Sequence, residues 1–392
     1  MHPAWRTLQG IPRDEMDWLT SGITNALVSS SGRQKRIFVQ AMGWSLDGRR
    51  LVTANNEGSL TGWSGLDFSH FQTMEGQHDH DGNRVACTSL AWLKDGASFI
   101  TADEYGTIHY FEWTFTAMMN TLCPAPGMAI NSLSVAPSTS NLRFVSGGAD
   151  KKLRIWDWAL YREEMSMEGH IDRINCVDWH PRYAMLASAA KDNTVRLWDP
   201  RSSGDKCLAT MQHHKSDVMK CAWNPTNGNW LLTGSKDQTL RLFDIRNTKE
   251  PIEFVGHEKD VYSLAWHPTH ERLFASGGLD GGLAFWGVGT GNTPKVLIRP
   301  DEKEVDINPQ NNLPFIRPIY EMAWHPLGHC LATGSRDQTV KFWCRKGVGH
   351  AMLSENHKKQ STTKNTPNDV VPEKVVEKTV HKVTPSAKDQ EE

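Results

Sequence analysis

The sequence predicts an all-β fold, a propeller of seven blades, because one short supersecondary unit recurs along the chain. In three successive stretches a histidine precedes a tryptophan by nine residues: His170 and Trp179, His214 and Trp223, and His257 and Trp266. A hydroxyl side chain also lies ten residues before the closing aromatic residue of each unit, at Thr53, Thr101, Ser146, Ser188, Thr233, Ser276 and Thr333. This position recurs seven times without gaps, which fixes the number of blades.

The strands of each unit end at recognisable residues. The innermost strands are predicted to end at Trp44, Trp92, Val135, Trp179, Trp223, Trp266 and Trp324. The third strands are predicted to end at Trp63, Phe111, Trp156, Trp198, Phe243, Trp286 and Trp343. This period and these landmarks are typical of WD40 blades, so the chain is expected to form a seven-bladed WD40 β-propeller.

The periodic pattern also predicts the domain boundaries. Residues 1–25 lack the period and are interpreted as an N-terminal extension, whereas residues 26–345 form the propeller. The strand-like residues that begin at Ala26 could supply the outer strand of the last blade and so close the ring. A proline-rich insertion at about 299–317 is expected to project before blade 7. Residues 346–392 are polar and contain no aromatic residue, which predicts a disordered tail.

Composition narrows the function classes. The formal net charge of −2 over 392 residues gives no general argument for nucleic-acid binding. The seven cysteines are isolated from one another, which argues against a zinc site or a disulfide framework. No apolar run approaches 18 residues, so we expect neither a membrane span nor a signal sequence. No motif for a metal, a cofactor or a phosphate is found.

Two blades contain the residue types of a hydrolase triad, but they are interpreted as structural tetrads. The predicted sets are His170, Ser188, Asp192 and Trp198 in blade 4, and His257, Ser276, Asp280 and Trp286 in blade 6. Each buried polar group in such a set would find a partner. Blade 5 should form the same network with Phe243 in place of the tryptophan. A set that recurs is typical of a scaffold, and no catalytic residue is predicted.

Two groups of residues are candidates for contact with RNA. The basic cluster of Arg33, Lys35 and Arg36 precedes the first inner strand; it is either a solvated turn or a contact for RNA or a partner. Phe68 and Phe71 follow the third strand of blade 1. They either pack between blades or provide the stacking surface that single-stranded RNA requires.

Two neighbouring blades also contain a candidate motif for docking onto a protein partner. The segments Trp198-Asp199-Pro200-Arg201 and Phe243-Asp244-Ile245-Arg246 resemble the motif by which some WD40 proteins bind the adaptor of a cullin-4 ubiquitin ligase. Arg201 and Arg246 are therefore candidate docking residues for a substrate receptor of that ligase.

Longer segments resemble one family more specifically, the WD-repeat subunit of the cleavage and polyadenylation specificity factor. They are GRRLVT (48–53) with EGSL (57–60) and WSGL (63–66), GNWLLT (228–233) with LFDIRN (242–247), AWHP (265–268) with LFASGG (273–278), and AWHPLGH (323–329). The resemblance extends over about residues 26–345.

The resemblance implies a non-catalytic scaffold of pre-mRNA 3′-end processing in the nucleus. It implies two protein partners, a large multi-propeller subunit and a CCCH zinc-finger subunit, and contact with pre-mRNA near the polyadenylation signal. Phe68 or Phe71 would then be the stacking aromatic residue, and Arg33, Lys35 and Arg36 the nearest basic group.

Overall fold

The computed structural model describes residues 38–74, 84–114, 118–137, 142–202, 207–298, 318–336 and 339–344, and the backbone of residues 21–27. The predicted insertion at about 299–317, the tail at 346–392 and the cluster of Arg33, Lys35 and Arg36 lie outside these residues. All described residues belong to one unit of the chain, Met1–His350.

The described residues form 28 strands in seven antiparallel four-stranded sheets. The strands are β1 (Ser21–Leu27), β2 (Val39–Trp44), β3 (Arg50–Asn55), β4 (Leu60–Ser64), β5 (His70–Met74), β6 (Cys87–Trp92), β7 (Ser98–Asp103), β8 (Ile108–Glu112), β9 (Met118–Leu122), β10 (Ile130–Val135), β11 (Arg143–Gly148), β12 (Leu153–Asp157), β13 (Arg162–Met167), β14 (Ile174–Trp179), β15 (Leu186–Ala190), β16 (Val195–Trp198), β17 (Cys207–Met211), β18 (Val218–Trp223), β19 (Trp230–Ser235), β20 (Thr239–Asp244), β21 (Asn247–Val255), β22 (Val261–Trp266), β23 (Leu273–Gly278), β24 (Leu283–Gly287), β25 (Val296–Ile298), β26 (Ile319–Trp324), β27 (Cys330–Ser335) and β28 (Thr339–Cys344).

Six of the seven blades are each formed by four consecutive strands, beginning with β2–β5. The inner strands β2, β6, β10, β14, β18, β22 and β26 contact one another in a closed ring. This arrangement confirms the predicted seven-bladed propeller. Each inner strand has a register shift near its beginning, for example between Val218 and Lys220, so the first residues of the strand leave the regular alternation. The apolar cores lie between blades: Val218 and Trp223 of blade 5 pack with Cys176 and Ala187 of blade 4.

The ring is closed by the first strand of the chain. Strand β1 pairs antiparallel with β28, from Ser21 opposite Cys344 to Leu27 opposite Thr339, and completes blade 7. The expected closing strand is therefore present, but it begins at Ser21 rather than at Ala26. Residues 21–25, which the sequence assigned to the extension, are part of the propeller because their backbone pairs with the last blade.

A buried histidine joins neighbouring blades at the end of several inner strands. The Nε2 atoms of His180, His267 and His325 donate hydrogen bonds of 2.8 to 2.9 Å to the carbonyl oxygens of Gly228, Gly328 and Gly48, respectively. In blade 5 the side chain of Asn224 takes this position and donates to the carbonyl of Glu271 at 2.7 Å. These contacts fix the turns of adjacent blades against each other.

Candidate interaction sites

The polar residues of blade 4 form a continuous hydrogen-bond network. Trp198 Nε1 donates to Ser188 Oγ at 2.8 Å, and the Ser188 hydroxyl lies 2.6 Å from His170 Nε2. His170 Nδ1 lies 2.9 Å from the carboxylate of Asp192. With Nδ1 protonated, His170 donates to Asp192 and accepts from Ser188, so each of the four side chains in the network has a hydrogen-bond partner.

This network is inaccessible to a substrate. Ser188 and the side chain of His170 have no exposed surface, and the Ser188 hydroxyl is already bonded on both sides. Burial alone would raise the pKa of Asp192, but hydrogen bonds from His170, Thr194 and the Ile171 amide lower it well below its usual value. The carboxylate is thus held ionised as an acceptor, and the geometry supports a structural role.

Blade 6 has the same network. Trp286 Nε1 donates to Ser276 Oγ at 2.8 Å, Ser276 Oγ lies 2.6 Å from His257 Nε2, and His257 Nδ1 lies 3.2 Å from an Asp280 oxygen. Its repetition matches the interpretation of both sets as tetrads.

Blade 5 forms the network without the tryptophan. His214 lies 2.9 Å from Asp237 and 2.8 Å from Thr233, and Phe243 is buried at the position of the missing indole. The Thr233 hydroxyl also lies 3.3 Å from the carbonyl oxygen of Arg241. Three adjacent blades therefore share the His–hydroxyl–Asp network.

The other blades keep only parts of it. Blades 1, 3 and 7 retain the bond from the indole to the hydroxyl, at 2.9 Å in each: Trp63 to Thr53, Trp156 to Ser146, and Trp343 to Thr333. In blade 2, Asp103 instead pairs with His109 at 2.9 Å. The sequence analysis did not predict this pair, although both residues lie within one hairpin.

The two candidate aromatic residues of blade 1 differ in their exposure to solvent. Phe68 is 3% exposed, and its ring stacks on Phe342 of blade 7 at a centroid distance of 4.4 Å and an angle of 27°. Its backbone φ of 56° turns the side chain back into the seam between the two blades. Phe68 therefore packs between blades, as in the first of the two interpretations, and its ring cannot stack on a nucleobase without local unfolding.

Phe71 lies on the outer strand β5 and is 43% exposed. Its ring covers the backbone of Gly62, where an added Cβ atom would lie 2.4 Å from the ring. The ring is thus supported from below by the neighbouring strand. Of the two phenylalanines, Phe71 is the one that an external ligand can reach.

The candidate docking arginines occupy equivalent positions in blades 4 and 5. Arg201 Nε lies 3.2 Å from Asp199 Oδ1, and Arg246 Nε donates to Asp244 Oδ1 at 2.9 Å. Both side chains are well exposed, at 73% and 68%. Each arginine is therefore oriented by the aspartate two residues before it and remains accessible to a partner.

Among the described residues no group of three His, Cys, Asp or Glu side chains is arranged to hold a metal ion. The part of the chain that the structure describes has no helix that is long and apolar enough to cross a membrane.

Comparison with known protein families defines the class. The model of the WD domain, G-beta repeat, matches residues 120–157, 162–199, 205–244, 249–287 and 316–344. With its seven four-stranded sheets, the chain belongs to the WD40-repeat propellers.

Within this class the chain is similar to polyadenylation factor subunit 2 of fungi. It is 35% identical over 330 residues to the protein of Gibberella zeae, covering 81% of this chain and 52% of that protein. It is 33% identical over 332 residues to the protein of Neurospora crassa, covering 81% of this chain and 48% of that protein. These matches confirm the resemblance to a WD-repeat polyadenylation subunit. The chain spans about half the length of these relatives.

A shorter similarity extends to a protein transport protein. The chain is 29% identical over 180 residues to protein transport protein sec13 of Aspergillus fumigatus, which covers 41% of this chain. That alignment covers 41% of this chain, whereas the similarity to the polyadenylation subunits covers 81%.

Proposed function

We propose that this chain is a non-catalytic scaffold subunit of the nuclear machinery that cleaves and polyadenylates pre-mRNA. The observation that carries this proposal is the similarity to polyadenylation factor subunit 2 over 81% of the chain. The buried tetrads support it, because the residues that resemble a triad serve blade stability and offer no access to a substrate.

The proposed assembly includes two other proteins, a large multi-propeller subunit and a CCCH zinc-finger subunit. A propeller can bind several partners at once because its loops and outer strands face different directions from one rigid ring. The exposed edges of the outer strands, such as β21 with Ile252 44% exposed, provide such surfaces.

We also propose that Phe71 contacts the RNA near the polyadenylation signal. Its ring is exposed and supported by Gly62, and an aromatic surface of this kind stacks on an unpaired base. Arg33, Lys35 and Arg36 are the proposed basic contacts, since they precede blade 1 in sequence. The buried Phe68 is not included in this proposal.

Affinity purification of the tagged full chain from nuclear extract, followed by mass spectrometry, tests the scaffold role. We expect the multi-propeller subunit, the zinc-finger subunit and the processing endonuclease to be recovered. Ultraviolet crosslinking of the recovered complex to RNA should then decrease in Phe71→Ala. Tyr183→Ala is the control, because Tyr183 is 58% exposed on a distant blade. Recovery of the tagged chain without these subunits would contradict the proposed function.

The alternative is a substrate receptor of a cullin-4 ubiquitin ligase. It is favoured by the exposure of Arg201 and Arg246 at matching positions of adjacent blades. The variant with both arginines replaced by alanine discriminates the two functions. Loss of a ligase adaptor from the purified complex would support the receptor, whereas an intact processing complex would support the scaffold.

A further inference from the structure

Two of the seven free cysteines meet in blade 7, the blade that closes the ring. Cys330 is the first residue of β27, and Cys344 is the last residue of β28. In the register of these two antiparallel strands the two cysteines are direct partners. The sequence analysis treated all seven cysteines as isolated, because their spacing along the chain does not show which residues a sheet pairs.

The backbone places this pair at the separation that a disulfide requires. The amide of His325 donates to the carbonyl oxygen of Cys330 at 2.8 Å, so the backbone groups of Cys330 point toward β26 and away from β28. Cys330 and Cys344 are therefore a non-hydrogen-bonded pair, in which the Cα atoms are about 4.5 Å apart and the side chains lie close together. A disulfide spans Cα atoms that are about 4.4 to 6.8 Å apart. The bridge can thus form without a rearrangement of the sheet.

The two thiols are in contact inside the blade. The Cys330 thiol donates a hydrogen bond to the sulfur of Cys344. Cys330 has no exposed surface, and Cys344 is 2% exposed. Each sulfur is therefore the nearest reaction partner of the other.

The two thiols differ in their acidity. The hydrogen bond from Cys330 lowers the pKa of Cys344, against the opposing effect of burial. Burial raises the pKa of Cys330, and the contact with Cys344 raises it further. Because the thiolate is the nucleophile in disulfide exchange, Cys344 is the sulfur that attacks an external disulfide, and Cys330 is the sulfur that resolves the product.

Cys344 lies at the end of its strand, where the sheet opens most readily. Its partner on the other side is Ser21, which is the first residue of β1. The terminal pair of a sheet opens at a much lower free energy than the pairs in its middle. Local opening at Ser21 and Cys344 therefore gives a small oxidant access to this sulfur while the rest of the blade stays folded.

We propose that Cys330 and Cys344 form a reversible disulfide that locks the closing blade when the protein meets a small disulfide oxidant such as glutathione disulfide. The Cys344 thiolate attacks one sulfur of the oxidant, forms a mixed disulfide and releases one glutathione thiolate, which takes up a proton. Cys330 then loses its proton to water, attacks the Cys344 sulfur and releases the second glutathione thiolate. Two cysteine thiols are thereby oxidised to one disulfide, and one glutathione disulfide is reduced to two glutathione thiols.

The bridge would act on the closure of the ring because Cys344 joins two strands. Its side chain faces Cys330 of β27, and its backbone pairs with Ser21 of β1. A bond to Cys330 anchors β28, the strand that holds β1 in place. The stability of the closed ring then depends on the redox state of the surrounding thiols. This site goes beyond the role in polyadenylation and does not depend on it.

A second pair of neighbouring thiols provides a comparison within the same chain. Cys176 lies in β14 and Cys221 in β18, and the Cys176 thiol donates to the carbonyl oxygen of Cys221 at 3.4 Å. These strands belong to different blades, so no strand register sets the two residues opposite each other. We expect this pair to stay reduced under conditions that oxidise Cys330 and Cys344.

Oxidation of the purified full chain with glutathione disulfide tests the proposal. Remaining thiols are alkylated in denaturant, and the tryptic peptides are analysed by mass spectrometry without reduction. Trypsin separates the two cysteines, because Arg336 and Lys341 lie between them. We expect a linked pair of peptides that contain Cys330 and Cys344 and that dithiothreitol separates. The exposed Cys123 should carry a mixed disulfide with glutathione, which shows that the oxidant has acted.

Thermal unfolding measures the effect of the bridge on the ring. The oxidised wild type should unfold about 5 °C above the reduced protein, because the bridge closes a loop of about 15 residues. Cys330→Ala and Cys344→Ala should each abolish this shift, whereas the matched control Cys123→Ala should keep it. The peptide analysis uses the wild type, so it remains decisive if a core variant fails to fold.

Two results would overturn the proposal. The first is recovery of Cys330 and Cys344 as alkylated thiols from a sample in which Cys123 carries glutathione. The second is a stability shift on oxidation that persists in Cys344→Ala, which would assign the shift to another pair such as Cys176 and Cys221.

Discussion

His325 of the last blade donates a hydrogen bond of 2.9 Å to the carbonyl oxygen of Gly48 in the first blade. A Cβ atom at Gly48 would lie 2.4 Å from the imidazole of His325. The contact joins blade 7 to blade 1, the two blades that meet where the ring closes. Substitutions at this contact therefore probe the closure of the ring.

The first prediction concerns this close approach. Gly48→Ala should destabilise the protein by about 1–3 kcal/mol more than Gly96→Ala, because the added methyl group displaces the imidazole. Gly96 is a matched control: its φ of 68° is nearly the same as the 67° of Gly48, but no atom lies within 4 Å of an added Cβ. Urea unfolding followed by tryptophan fluorescence measures the difference. Equal destabilisation would show that only the backbone conformation matters.

The second prediction is a pH dependence of stability. Burial lowers the pKa of His325 from 6.5 to about 4, against the smaller opposing effect of its bond to Gly48. The unfolded chain therefore takes up this proton near pH 6.5, while the folded chain does so only near pH 4. The stabilising contribution is complete above pH 6.5 and is lost as the pH falls toward 4.

His325→Asn provides the comparison, since Asn224 holds the equivalent contact in blade 5 without titrating in this range. The wild type should lose more free energy of unfolding between pH 6.5 and 4 than this variant. Parallel stability curves would exclude His325 as the source.

The third prediction concerns the tetrads. Asp192→Ala and Asp280→Ala should each lower the free energy of unfolding by about 1–3 kcal/mol, because a buried histidine loses its acceptor. Asp199→Ala, which removes the partner of the exposed Arg201 in the same blade as Asp192, should cost less than about 1 kcal/mol. Thermal or urea unfolding measures all three. No shift in the two tetrad variants would contradict the structural role.

The fourth prediction separates the two phenylalanines of blade 1. Phe68→Ala should destabilise by about 3–5 kcal/mol, because it removes a buried ring that stacks on Phe342. Phe71→Ala should cost less than about 1.5 kcal/mol, because its ring is 43% exposed. Unfolding of both variants in urea provides the measurement. Similar losses in the two would show that Phe71 is part of the core.

Local features of the chain were predicted well from sequence. The blade count and the partners within the tetrads follow from residue types at fixed spacing, since a hydroxyl and its tryptophan are ten residues apart on paired strands. The sequence pattern predicts that the closing strand begins at Ala26, whereas β1 begins at Ser21. The pattern misses residues 21–25 because the segment Ser-Gly-Ile-Thr-Asn lacks the apolar alternation of a half-buried strand.

The sequence pattern did not predict contacts between blades that are far apart in the chain. The burial of Phe68 depends on a left-handed backbone at that residue and on Phe342 of the last blade. The ion pair of Lys220 and Glu321 connects blades that are not neighbours, and nothing in either repeat indicates the other residue. Such contacts depend on how the blades are arranged in the ring, which the pattern of a single repeat does not specify.

Because β1 pairs with β28, the ring can close only after nearly the whole propeller has been synthesised. Ser21 leaves the exit tunnel early, but its partner Cys344 is made only near the end of the propeller. At about 5–20 residues per second the interval is roughly 15 to 60 s. Until β28 has been made, β1 has no partner strand, so blade 7 stays incomplete and the ring cannot close.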